Sequence, residues 1–197
     1  MKEMKVRLTL LEEILGTASN NPEIHSEFIA SKAPDAKSRE EEIEAIGVDA
    51  EVEKGKTVFS RDEDGNPFLW DYQIRGFFKD ACGMLRKVPK TKSSGIKAFK
   101  KEVDGLIFVQ ERHIPFTNFD GEVGNCQRPL RAQTAQGERV SLANSETIPA
   151  GSQLEFTVEC LVDSDMDAVE EWLDYGKLRG LGQWRNSGKG RFVWEKI

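Results

Sequence analysis

The chain is poor in the residues that most often carry covalent or metal chemistry. Its 197 residues include three cysteines, Cys82, Cys126 and Cys160, and two histidines, His25 and His113. The cysteines are far apart, odd in number and form no Cys-x-x-Cys pair, so neither a disulfide framework nor a zinc site is expected. Cys82 and Cys160 fall on apolar faces and read as small buried hydrophobes. The acid groups Asp62/Asp64 and Asp163/Asp165/Asp167 sit in turn and helix-cap contexts, without the glycine and distal glutamate of an EF-hand loop. No metal and no cofactor is therefore expected. No window approaches the roughly 18 apolar residues of a membrane span, so no membrane partner is expected either. The opening Met1-Lys2-Glu3-Met4-Lys5 lacks the apolar stretch of a signal peptide, which leads to the expectation of a cytoplasmic protein. Tandem repeats and low-complexity tracts are also missing.

What is present suffices for one good core with a satellite insertion. Hydrophobic residues make up 38% and charged residues 31% of the chain. The net charge of −6 argues against a polyanionic partner, but the charge is unevenly spread. Residues 1–66 hold 9 basic and 16 acidic side chains, whereas residues 75–101 hold 9 basic and one acidic. A local basic face still attracts phosphates, because salt screens each charge within about 8–10 Å.

Periodicity places the elements. Val6, Leu8 and Leu10 alternate with polar residues and predict a strand over about residues 4–11. Pro22 opens a short helix expected to run through Ala30, and residues 36–47 read as a charged helix ended by Gly47. The whole stretch 35–66 is expected to be a charged insertion. Asp64-Gly65 favours a hairpin turn between Val58-Phe59 and Phe68-Leu69. Asp71, an expected N-cap, precedes the clearest helix, with Ile74, Phe77, Phe78, Ala81 and Leu85 on one face. The lysine-rich run 87–101 is either a flexible loop or a short basic helix. Residues 105–110 read as a buried strand and 112–147 as a long irregular loop, a length that usually signals function or a hidden hairpin. Leu154, Phe156, Val158, Cys160 and Val162 mark the best strand. A helix capped by Ser164, with Asp167 at the capping-box position, buries Met166, Val169, Trp172 and Leu173 and ends at Gly176. Phe192-Val193-Trp194 closes the chain. The simplest arrangement is an α+β, ferredoxin-like (RRM-like) βαββαβ core with an antiparallel sheet plus insertions, in a single domain over residues 1–197.

Residues 180–190 read Gly180-Leu181-Gly182-Gln183-Trp184-Arg185-Asn186-Ser187-Gly188-Lys189-Gly190. Glycines permit positive φ and close approach of a partner to the backbone, and exposed amides on such a loop bind phosphate oxygens. Arg179, Arg185, Lys189 and Arg191 add four cations with no acid between them, and Trp184 adds a surface on which a base stacks. The spacing is not that of a nucleotide P-loop, and the segment follows a helix rather than opening one. Read without any relative, the alternative is a glycine-rich turn that merely reverses the chain.

Gly180-x-Gly182, a five-residue spacer and Gly188-x-Gly190 resemble the C-terminal glycine-rich loop of the RAMP superfamily of CRISPR-associated RNA-binding proteins. Two further stretches are similar to its backbone-subunit branch. One is Tyr72-Gln73-Ile74-Arg75-Gly76-Phe77-Phe78-Lys79, against a pattern Ser-x-x-Arg/Lys-Gly-x-x-Arg. Here Gln73 stands near where the family favours a small hydroxyl residue. The other is Ser145-Glu146-Thr147-Ile148-Pro149-Ala150-Gly151-Ser152, the entry to an alternating strand. Together the matches span residues 72–194, and the chain departs from that branch in being short and acidic.

The resemblance implies a non-catalytic protein that binds single-stranded guide RNA, its partners being RNA, other CRISPR-complex subunits or copies of itself. Arg75, Lys79, Lys90, Lys92, Arg185, Lys189 and Arg191 would hold phosphates, Gly180, Gly182, Gly188 and Gly190 would shape the loop, and Trp184 would stack a base. Two other readings stand beside it. The acidic stretch 35–53 suits a protein-interaction module acting on a CRISPR-type complex, as a virus-encoded inhibitor or nucleic-acid mimic. His25, shortly after the first strand, suits the general base of a metal-independent endoribonuclease attacking through a ribose 2′-hydroxyl.

Overall fold

The computed structural model describes residues 1–20, 55–134 and 137–197, with the side chains of 130–141 left aside. The helices expected at 22–30 and 36–47, His25 and the acidic stretch 35–53 lie outside the described residues. In chain order the strands and helices are β1 (Lys2–Leu10), β2 (Ile14–Leu15), β3 (Ala18–Ser19), β4 (Thr57–Val58), β5 (Ser60–Arg61), β6 (Pro67–Trp70), α1 (Asp71–Leu85), α2 (Phe99–Leu106), β7 (Ile107–Val109), β8 (His113–Thr117), β9 (Gly124–Thr134), β10 (Gly137–Ile148), β11 (Gln153–Cys160), α3 (Asp165–Tyr175) and β12 (Phe192–Lys196).

Alternation builds the centre. Met4, Val6, Leu8 and Leu10 of β1 and Leu154, Phe156, Val158 and Cys160 of β11 are all buried on one side of the sheet. The two strands pair antiparallel, with Val6 opposite Phe156 and Leu8 opposite Leu154. β12 adds to the far side of β1, while β7 and β8 add to the far side of β11. β1, α1, β7–β8, β11, α3 and β12 thus trace βαββαβ, with the four strand positions in spatial order 4-1-3-2. This is the ferredoxin-like α+β core, extended beyond β8 by β6 and β5.

α1 and α3 cover the apolar face. α1 buries Ile74, Phe77, Phe78, Ala81 and Cys82, and α3 buries Met166, Val169, Trp172 and Leu173. The rings of Phe78 and Trp172 meet with centroids 5.6 Å apart. Each large apolar side chain among them contributes about 1.5–3 kcal/mol by leaving water. The opposite face of the sheet is polar. Arg7 Nε donates to Glu155 and Arg7 Nη1 to Glu195, and Glu111 accepts from both the amide and the hydroxyl of Thr157.

Several local expectations are corrected. Residues 112–147 are not an irregular loop: they hold β8 and most of a long β9–β10 hairpin, which anchors a second sheet in the order β2-β10-β4-β3. Its sequence hides it, because polar residues and Pro129 interrupt any alternation. Asp71 is the first helical residue, with extended Trp70 in the cap position. The Asp71 carboxylate is taken by Arg75 and Arg112, and Gln73 Oε1 accepts from the Trp70 amide instead. Residues 105–106 end α2, so the strand begins only at Ile107, and Phe108 faces outward opposite Glu159. Val162 is 43% exposed, since β11 ends at Cys160. Ser164 makes no side-chain cap, and Asp167 pairs with Lys92. The run 87–101 contains a short 3₁₀ turn, Lys92–Gly95, and the start of α2.

Candidate functional site

The glycine-rich segment joins α3 to β12, and its two Gly-x-Gly pairs close on each other. Leu181 N donates to Gly190 O at 2.9 Å, and Gly190 N donates to Glu13 O at 2.8 Å. A Cβ at Gly180 would stand 2.4 Å from Lys189 O, and one at Gly190 only 2.1 Å from Leu181 O. Both residues also have positive φ, so the neck of the loop admits glycine alone. Gly182 and Gly188 share the left-handed conformation.

The five residues between the pairs project from this neck. Trp184 is left-handed at φ 54, an uncommon state for a bulky residue that costs on the order of 1 kcal/mol. Its ring, 41% exposed, lies under the Arg128 guanidinium at 5.3 Å. Arg128 also donates to Gln183 Oε1 and to Ser145 Oγ, and Gln183 Nε2 donates to Gly16 O. The loop is thereby tied to the second sheet.

The cations of the loop face carboxylates of the body. Arg179 Nε and Arg185 Nη1 both reach Asp80 Oδ2 on α1, at 2.8 and 2.9 Å. Lys189 pairs with Glu13, and Arg191 with Glu12 and the Gly188 carbonyl. The hydrogen bonds to Asp80 and Glu13 raise the pKa of Arg179 and of Lys189 respectively, fixing both in the charged form. Arg75 on α1 bridges to Asp71, Lys79 to Asp104, and Lys92 to Asp167. Lys90 is exposed and, with Lys87, Lys97, Lys100 and Lys101, makes no ion pair among the described residues. The uncommitted positive charge of the 75–101 stretch therefore sits where α1 ends and α2 begins.

A cleft of about 430 Å³ lies between the loop and the first half of α1. Trp70, Tyr72, Gln73 and Gly76 form one side and Leu181, Gly182 and Arg185 another, with Thr17, Phe59 and Ser60 also in the lining. The structure thus brings the loop residues Gly182 and Arg185 beside α1, which carries Arg75 and Lys79, and leaves Lys90 and Lys92 on the α3 side. His113 packs its ring on Phe68 and Trp70 at 4.3 and 4.5 Å. Among the described residues no group of three or more His, Cys, Asp or Glu side chains is arranged to hold a metal, and no helix is long and apolar enough to cross a membrane.

Sequence reasoning missed Asp80, Glu12, Glu13, Arg128 and Trp70. Only Asp80 left a signal, as the single acid in residues 75–101; the others act through contacts between distant segments.

No protein-family model matches the chain, and no curated protein matches it significantly. Among solved structures it is similar to a chain of the "Cryo-EM structure of the Type III-B Cmr-beta bound to cognate target RNA". The TM-score is 0.53 at 13% identity, over 100% of this chain and 59% of that one, so this chain spans about three-fifths of its length. At that identity the likeness shows a shared fold.

Proposed function

We propose that this protein binds single-stranded RNA as a non-catalytic, RAMP-like subunit of a CRISPR-type ribonucleoprotein. The observation that carries the reading is the seating of the glycine-rich loop on α1, in a ferredoxin-like core shared with a chain of an RNA-bound Cmr assembly. Phosphates would run along the uncommitted lysines 87, 90, 97, 100 and 101, with Lys79, Lys92, Arg185, Lys189 and Arg191 exchanging their carboxylates for phosphate at some cost. Trp184 would stack a base. The polar sheet face, with Glu111, Glu155 and Glu195 bonded to neighbours, favours a protein partner on that side, either another subunit or a second copy.

The test is titration of labelled single-stranded RNA of about 30 nucleotides at several salt concentrations. Binding should weaken steeply with salt. Replacing Lys100 by Ala should lower the salt slope by about one unit, because that lysine is free for phosphate. Lys189→Ala should lower it less, because Glu13 already neutralises that lysine. Salt-indifferent binding, or none at low salt, removes the RNA reading and leaves the protein-interaction module.

A further inference from the structure

Gly76 sits in the interior of α1, where glycine costs roughly 0.5–1 kcal/mol relative to alanine. The fold does not require it. Its φ is helical and a Cβ built there meets nothing within 4 Å. Gly76 joins the lining of the cleft between α1 and the glycine-rich loop.

The rest of the lining has a definite chemistry. Tyr72, 51% exposed, lies nearly parallel to Trp70, with 16° between planes and centroids 6.0 Å apart. Trp70 is fixed in turn by its Nε1 bond to Ser60 Oγ at 2.9 Å. Buried Phe59 and Phe77 line the cleft as well. A flat aromatic face over an apolar floor suits a planar ring better than an extended chain.

Polar capacity remains in the lining. Ser60 Oγ accepts from Trp70, which leaves its own hydroxyl hydrogen to give. Thr17 Oγ1 accepts from Gln73 Nε2, leaving the Thr17 hydroxyl hydrogen and the second Gln73 N–H. Arg185 spends one nitrogen on Asp80 and keeps further N–H groups at the mouth. Ser60, Thr17 and Gln73 each also keep an acceptor lone pair, so this part of the lining suits a ring edge that carries both donors and acceptors, as nucleobase edges do. The volume, about 430 Å³, lies within the range of small-molecule sites.

We propose that this cleft receives one unstacked nucleobase from the bound RNA strand. The proposal rests on the RNA reading above. Tyr72 stacks the ring, the hydrogen-bonding groups of Thr17, Ser60 and Gln73 meet its edge, and Arg185 meets the adjoining phosphate.

The experiment compares an oligouridylate of about 30 nucleotides with an abasic spacer strand of equal length and charge, on the full chain and on two variants. Gly76→Leu puts a side chain at the cleft from a position where the Cβ itself meets nothing within 4 Å, and Tyr72→Ala removes the half-exposed ring. The wild type should bind the oligouridylate roughly tenfold or more tightly than the abasic strand, and both variants should erase most of that preference while keeping the salt slope. Equal discrimination by wild type and both variants overturns the cleft while leaving RNA binding intact. Failure of the wild type to bind either strand overturns the RNA reading and the cleft with it. Uridine monophosphate supplies the remaining arm. If it fills the cleft while strand binding ignores Gly76→Leu, the ligand is a free nucleotide and the proposal fails.

Discussion

Arg185, in the projecting part of the glycine-rich loop, donates through Nη1 to Oδ2 of Asp80 on α1, 2.9 Å away and 105 residues earlier in the chain. The same oxygen takes Arg179 from the loop's approach. One carboxylate therefore seats the loop on the helix and neutralises part of its charge.

Asp80→Asn keeps the shape and removes the charge. The loop should loosen, with a loss of stability of about 1–3 kcal/mol, since two partly buried guanidinium groups lose their partner. RNA affinity at low salt should rise or hold, because two cations are released to phosphate. Thermal unfolding and RNA titration of the same sample check both. A fall in affinity with unchanged stability would mean that Asp80 orders the loop for binding and does not merely compete with RNA.

Gly190→Ala should be worse than Gly188→Ala. Both place a side chain at positive φ, which costs on the order of 1 kcal/mol. At Gly190 the new methyl also meets the Leu181 carbonyl at 2.1 Å, whereas at Gly188 the nearest atoms belong to the movable end of Arg191 at 3.5 Å. The gap between the two melting temperatures reads the clash alone. Equal melting temperatures would show that the neck of the loop can shift.

These contacts explain how far the sequence could be read. β1, β11, α1 and α3 announce themselves because Leu154 or Phe78 is buried by its place in a local period, which needs no knowledge of partners. The β9–β10 hairpin does not, because Arg128, Ser145 and Glu146 are buried in it through hydrogen bonds to Gln183, Thr57 and Arg61, all distant in sequence. The glycine spacing was legible for the same reason as the periods, since its cause is local backbone geometry. The state of the cations was not. A run of lysines and arginines looks equally free in sequence, and only the fold brings Glu12, Glu13 and Asp80 against four of them.

The thiols should report burial. Cys82 and Cys160 are fully buried, and burial pushes the Cys160 thiol up to about 12. Cys126 is half-buried. Alkylation of the native protein should label Cys126 alone, and all three after denaturation; extra labels before unfolding would contradict the core packing. The sign of the pH effect follows. A thiol whose folded pKa is raised contributes stability below its unfolded value, 9.0, and that contribution drains away as pH rises toward about 12. Denaturant midpoints measured upward from about pH 9 should fall, less so in a Cys160→Ala variant compared with its own neutral-pH value.

Ser93 gives the sharpest test of how the lysine patch is held. It is fully buried, its Oγ accepts from Trp172 Nε1 at 2.8 Å, and it donates to Glu171 Oε2 at 2.7 Å. Glu171 also accepts from the amides of Lys92 and Ser93, so one carboxylate and one hydroxyl pin the 3₁₀ turn to α3. Ser93→Ala leaves the Trp172 N–H buried without a partner, which costs about 1–3 kcal/mol. Because the turn carries the chain between Lys90 and Lys97, the same change should scatter the uncommitted lysines and weaken RNA binding severalfold. Glu171→Gln separates the two effects. It keeps an acceptor for the turn while losing charge, so stability should fall less than in Ser93→Ala. If Ser93→Ala destabilises the fold but leaves RNA affinity untouched, the lysines act as independent mobile charges and the docking of the turn serves packing alone.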